Sequence, residues 1–165
     1  MSEITHSQEQ IFKILSEIPD PEIPVINIIE LGVLREVKFV EDTCVVVITP
    51  TYTGCPAMKV IEDDIRIKLK EIGIEKVKVE LVYSPAWTTD WISDEAKEKL
   101  RAYGIAPPDH STEDKKVLLG KARDLKCPLC GSKHTEMISQ FGSTACKALY
   151  RCLDCKEPFD YFKCL

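Results

Sequence analysis

The chain has 165 residues, of which 44% are apolar and 30% charged, with a net charge of −5, the balance of a soluble globular protein. No apolar run approaches the roughly 18 residues of a membrane helix, and residues 1–10 carry neither the basic nor the apolar region of an export signal, so a cytosolic protein is expected. Residues 1–106 hold 12 basic against 19 acidic side chains while 127–165 hold 5 against 4, too little positive charge to neutralise a phosphate backbone, which argues against a nucleic-acid ligand.

In chain order, Ile4, Ile11, Leu15 and Ile18 recur at helical spacing, and Pro19 ends that segment. Val33–Val40 and Cys44–Thr49 predict two strands turning at Glu41-Asp42, the second so continuously apolar that it should be buried on both faces. A helix is expected from Pro56 to Ile72, with Met58, Ile61, Ile65, Leu69 and Ile72 on one stripe and Gly73 as its stop. Lys76–Tyr83 alternates as a strand with Val77, Val79 and Leu81 inward. The last helix starts at the N-cap Ser93, runs through Leu100 to Tyr103 and stops at Gly104.

This order is αββαβα, an α+β domain over residues 1–106 in which helices pack on a small mixed sheet. The crossover helix leaves enough chain for a parallel pair of strands. Ala106-Pro107-Pro108-Asp109 breaks the pattern, and residues 107–126 read as a polar linker apart from Val117-Leu118-Leu119.

The tail, residues 127–165, carries the clearest chemistry. Cys127-Pro128-Leu129-Cys130 and Cys152-Leu153-Asp154-Cys155 are two CxxC pairs with 21 residues between them, the ligand set of a four-thiolate zinc ribbon. The interval slightly exceeds the usual range of about 15–20 residues, a difference a β-hairpin absorbs. A segment this short generally folds only with a metal or disulfides, and disulfides need an oxidising compartment. Four sulfur ligands leave no open position for water, so the zinc is expected to be structural rather than catalytic. Cys146 and Cys164 are further thiols in the tail, available as alternative ligands or as a second thiol pair, and a cysteine-ligated iron–sulfur cluster stays open as the alternative metal group. Cys44 lies in the apolar strand and is expected in the core.

A second loaded segment is Thr51-Tyr52-Thr53-Gly54-Cys55-Pro56, where the buried strand turns into a helix. Pro56 suits the first helical position, which puts Cys55 at the N-cap, where the helix dipole favours a low-pKa thiolate. Such a thiol binds metal or attacks an electrophile; the plainer alternative is a small buried hydrophobe. His6, His110 and His134 are scattered and form no constellation, so a Cys–His enzyme lacks its base. Trp87 and Trp91 flank a loop and either cover the core or dock a partner.

Asp20-Pro21-Glu22, Glu30-Leu31-Gly32 and Thr53-Gly54-Cys55-Pro56 with Ile61 resemble the iron–sulfur assembly family that includes SufT, over roughly residues 8–105. Residues 84–91, the two CxxC pairs, Gly142-Ser143-Thr144-Ala145-Cys146-Lys147 and Tyr150-Arg151-Cys152 further resemble its PaaD (PaaJ) subgroup, accessory subunits of the phenylacetyl-CoA epoxidase of aerobic phenylacetate breakdown. The resemblance implies a maturation role that inserts iron or an iron–sulfur cluster into a partner, foremost the iron–sulfur flavoprotein reductase, with no turnover by this chain alone. The sequence agrees in lacking the paired Glu-x-x-His motifs of a di-iron bundle and any GxGxxG loop. Cys55, with Asp20 or Glu22 near it, is the expected transient iron or cluster site, and Glu30 is a secondary candidate. The competing role for Asp20-Pro21-Glu22 is a rigid Asx turn. A low-pKa thiol enzyme built on Cys55 and a nucleic-acid-binding ribbon are the alternatives. A monomer and a homodimer both remain open.

Overall fold

A computed structural model describes residues 6–108 and 125–163. Ile4, His110, Val117-Leu118-Leu119 and Cys164 lie outside the described residues. The chain divides into two compact units, Met1–Trp87 and Thr88–Leu165.

In the first unit, α1 spans Gln8–Leu15. The Ser7 hydroxyl accepts the Gln10 N–H at 3.2 Å while the Gln10 side chain accepts the Ser7 N–H at 3.0 Å, so a capping box fixes where the helix begins. The helix stops at Leu15, before Ile18, because Pro19 disfavours helical backbone at the residue ahead of it. Ile11, Leu15 and Ile18 are nevertheless all buried.

The sheet has the order β1-β2-β3: β1 (Leu34–Val40) runs antiparallel to β2 (Thr43–Ile48), and β2 runs parallel to β3 (Val77–Leu81). The central position of β2 explains its unbroken apolar run, since Cys44, Val45, Val46, Val47 and Ile48 are all buried. Val77, Val79 and Leu81 are only half-buried because β3 lies at a sheet edge. Between them α2 (Ala57–Glu71) buries Met58, Ile61, Ile65 and Leu69 of the expected stripe, while Ile72 is its half-buried C-cap, and the helix ends before Gly73 at φ +87°. Trp87 is buried and its Nε1 donates to the Leu31 carbonyl at 2.9 Å, so it covers the core and fastens the β1 approach.

The second unit opens with a 3-10 turn at Thr89–Trp91 and α3 (Asp94–Ala102), whose N-cap Ser93 accepts the Ala96 N–H at 3.1 Å. The last helix of the αββαβα order is thus present, but it belongs with the ribbon. After it, β4 (Ile105–Ala106) pairs in parallel with β7 (Pro158–Phe162) in a sheet ordered β4-β7-β6-β5, with β5 at Thr135–Ser139 and β6 at Lys147–Cys152. Its core joins Ala106, Leu125, Cys127, Ala148 and Cys152 to Tyr150, which stacks on Phe159 at 5.9 Å and meets Tyr161 edge-on at 6.0 Å.

Candidate metal centre and thiol loop

The two CxxC pairs converge. Cys152 ends β6, Cys155 lies in the turn into β7, and Cys127 and Cys130 precede β5. Their four Sγ atoms all lie within 4.8 Å of one another, with Cys127–Cys155 at 3.8 Å and Cys130–Cys152 at 3.5 Å. A tetrahedral zinc with Zn–S bonds of about 2.3 Å needs sulfur–sulfur edges of about 3.8 Å, so these side chains fit that ion.

The residue after each pair takes left-handed backbone, Gly131 at φ +78° and Lys156 at +68°, which folds the chain back so that N–H groups face sulfur. The Ser132 N–H points at Cys130, those of Cys155 and Asp154 at Cys152, and that of Glu157 at Cys155. The Cys155 and Asp154 N–H groups help bring the Cys152 thiol down to about 7. Cys155, despite the Glu157 N–H, is pushed up to about 12 by burial and the three neighbouring thiols. Four thiolates at this spacing repel one another, and a bound dication relieves that repulsion.

Cys146 stands outside this set: it is buried, with its Sγ 3.1 Å from Thr144 Oγ1. Cys44 is fully buried in β2, as expected.

In the first unit, Pro56 is the N-cap of α2 and Cys55 precedes it, one position earlier than the sequence suggests. The Cys55 thiol is half-buried, and burial raises it above the ordinary thiol range. The Ala57 N–H and the Tyr52 and Thr51 hydroxyls act in the opposite direction, and the Glu22 carboxylate adds to the rise. The low-pKa thiol expected from the helix dipole is therefore corrected: desolvation outweighs the N–H groups of the helix end.

Glu22 is thus within electrostatic reach of Cys55. Asp20 is buried, and its Oδ1 accepts the Glu22 N–H at 2.9 Å and the Ile23 N–H at 2.8 Å, an Asx turn. Glu30 Oε2 accepts the Asn27 N–H at 3.0 Å, while Asn27 Oδ1 accepts the Ile29 and Glu30 N–H groups at 3.0 and 2.8 Å. This reciprocal pairing holds the turn into Gly32, at φ +79°. Thr51 and Tyr52 are partners of the thiol that sequence reasoning passed over, although both sit in the segment that carries Cys55.

His6 Nε2 lies 2.9 Å from the Ile72 carbonyl, at the C-terminal end of α2, about 22 Å of helix from the Cys55 end. His134 is exposed in the ribbon, its Nδ1 3.4 Å from Asp154 Oδ1. Among the described residues no helix is long and apolar enough to cross a membrane.

Two family models match the chain: an iron–sulfur cluster assembly protein over residues 8–81 and the PaaD zinc β-ribbon domain over residues 111–163. A putative 1,2-phenylacetyl-CoA epoxidase subunit of Escherichia coli is 50% identical over 94% of this chain and 92% of its own length. An Fe-S protein maturation auxiliary factor of Porphyromonas gingivalis is 37% identical over 60% of this chain and 95% of its own. Among solved structures, a DUF59 domain of unknown function from Bacillus anthracis aligns with a TM-score of 0.52 at 28% identity, covering 56% of this chain and 90% of that one. With half its residues identical to the Escherichia coli protein along nearly the whole of both chains, and a four-cysteine cluster where the ribbon model lies, the chain belongs to the PaaD family.

Proposed function

We propose that this chain is an accessory component of a phenylacetyl-CoA epoxidase, and that it assists insertion of iron or an iron–sulfur cluster into a partner subunit, foremost the iron–sulfur flavoprotein reductase. The observation that carries the reading is the joining, in one chain, of an iron–sulfur assembly domain to the ribbon, in a combination that matches the Escherichia coli epoxidase relative nearly end to end.

Each unit has its own task. In the ribbon, Cys127, Cys130, Cys152 and Cys155 hold zinc as a structural ion, which supplies cross-linking and no open coordination position. In the first unit, Cys55 takes the cargo. Its raised thiol keeps its proton until a metal displaces it, and the neighbouring oxygens of Tyr52, Thr51 and Glu22 are weak ligands for a soft metal. One thiolate among such oxygens holds iron loosely enough to pass it on. Asp20 sets the turn that presents Glu22.

The test is reconstitution without oxygen. Apo-reductase is incubated with iron, sulfide and this chain, and recovery of cluster absorbance is followed. Wild type should accelerate recovery, and Cys55→Ser and Glu22→Ala should lose most of that acceleration while keeping about one zinc per chain. Equal acceleration by wild type and Cys55→Ser would overturn the assignment of Cys55.

A further inference from the structure

The two knuckles come from separate parts of the chain, one ahead of β5 and one between β6 and β7, yet all four sulfurs meet. A direct protein link joins the knuckles beside the ion site. Asp154, between Cys152 and Cys155, accepts a hydrogen bond through Oδ2 from the hydroxyl of Ser132, two residues beyond Cys130. Its other oxygen, Oδ1, lies 3.4 Å from His134 Nδ1. Ser132 Oγ in turn accepts the His134 N–H at 3.0 Å. Backbone bonds brace the same place: the Leu153 N–H donates to the His134 carbonyl at 2.7 Å, and the Cys127 N–H to the Ser132 carbonyl at 2.8 Å.

Ser132 is therefore tied at its carbonyl to Cys127 and at its hydroxyl to Asp154, so that one residue reports the position of one knuckle to the other. Asp154 is held by chain connectivity within two residues of both Cys152 and Cys155. Separating the knuckles works against the Ser132–Asp154 bond, a charge-assisted contact.

We propose that Asp154 is a positioning residue for the metal: through Ser132 and His134 it latches the second knuckle to the first and slows release of the bound ion. Groups that orient metal ligands from outside typically contribute 10–100-fold in affinity.

The test is transfer of zinc from the full-length, zinc-loaded chain to a colorimetric chelator in excess. Asp154→Ala and Ser132→Ala should each release zinc about 10–100-fold faster than wild type, and the double variant should be no faster than the faster single one, because both remove the same link. Asp154→Asn, which keeps a carbonyl acceptor for Ser132, should fall between wild type and Asp154→Ala. Cobalt-loaded Asp154→Ala should keep a four-thiolate absorption spectrum, since the ligands are unchanged.

Arg151→Ala is the control, because it breaks the Arg151–Glu136 ion pair of the same ribbon sheet without touching the link between knuckles. Its release rate should match wild type. Unchanged release in Asp154→Ala would overturn the proposal, as would equal acceleration by Arg151→Ala or multiplied effects in the double variant. If Asp154→Ala fails to fold, Ser132→Ala reads the same link from its other end.

Discussion

Asp20 holds the Glu22 backbone in place: the buried Asp20 carboxylate accepts the Glu22 N–H at 2.9 Å, so one acid of the pair builds the turn and the other lies within electrostatic reach of the Cys55 thiol. The two acids therefore act on different neighbours, one on the backbone of the turn and one on the thiol, and their substitutions should separate in the same way.

Asp20→Ala removes an acceptor from two backbone N–H groups in a buried turn, a loss of about 1–3 kcal/mol. Asp20→Asn keeps a carbonyl oxygen at the same place and should recover most of that stability. Urea unfolding of the two variants against wild type measures both effects.

Glu22→Gln should make Cys55 more reactive. The Glu22 charge opposes formation of the thiolate, so its removal lowers the thiol pKa toward the ordinary range and speeds alkylation at fixed pH. The pH dependence has a definite sign. A thiol that ionises less readily folded than unfolded leaves stability unchanged in acid, and costs stability as pH rises above the unfolded value of about 8.5. Cys55→Ser should flatten that alkaline loss. Iodoacetamide rates across pH, read by intact mass, locate the thiol directly.

Much of this was legible in the residues. The stripe Met58, Ile61, Ile65, Leu69 and the run Cys44–Ile48 announce a helix and a central strand because periodicity reports burial directly. The meeting of Cys127, Cys130, Cys152 and Cys155 was foreshadowed by their spacing alone. The state of Cys55 was not legible, since the dipole of α2 is a local property whereas the burial that overrides it comes from the folded surroundings. The placement of α3 was hidden for a similar reason: a two-residue strand, Ile105-Ala106, has no periodicity, and its partner lies far along the chain.

The knuckles give an asymmetric pair of substitutions. Gly131 at φ +78° has room for a methyl group among the described residues, with Lys126 Cε at an ordinary 3.5 Å, so Gly131→Ala should cost the left-handed penalty alone, about 1–2 kcal/mol. Lys156 already sits at φ +68° with a full side chain, and Lys156→Gly should be tolerated or mildly stabilising. Thermal unfolding of the zinc-loaded variants compares the two.

Thr49, buried just after β2, has a hydroxyl without a hydrogen-bond partner among the described residues. Thr49→Val keeps the shape and removes the desolvated oxygen, so it should raise stability by about 1 kcal/mol. Chemical denaturation decides the sign, and a loss of stability would mean that the hydroxyl has a partner such as a buried water.

The pairing of β4 with β7 has a consequence for how the protein is made. Residues 107–157 must be synthesised before Ile105-Ala106 meets its neighbour, so this edge stays open on the ribosome while the first unit, whose strands all precede residue 82, can already close. A fragment cut ahead of Pro158 would leave β4 without its partner. A fragment begun at Cys127 would leave the β7 backbone bare along the stretch that β4 covers, an invitation to pair with another chain. Expression of the second unit by itself should therefore start at Thr88.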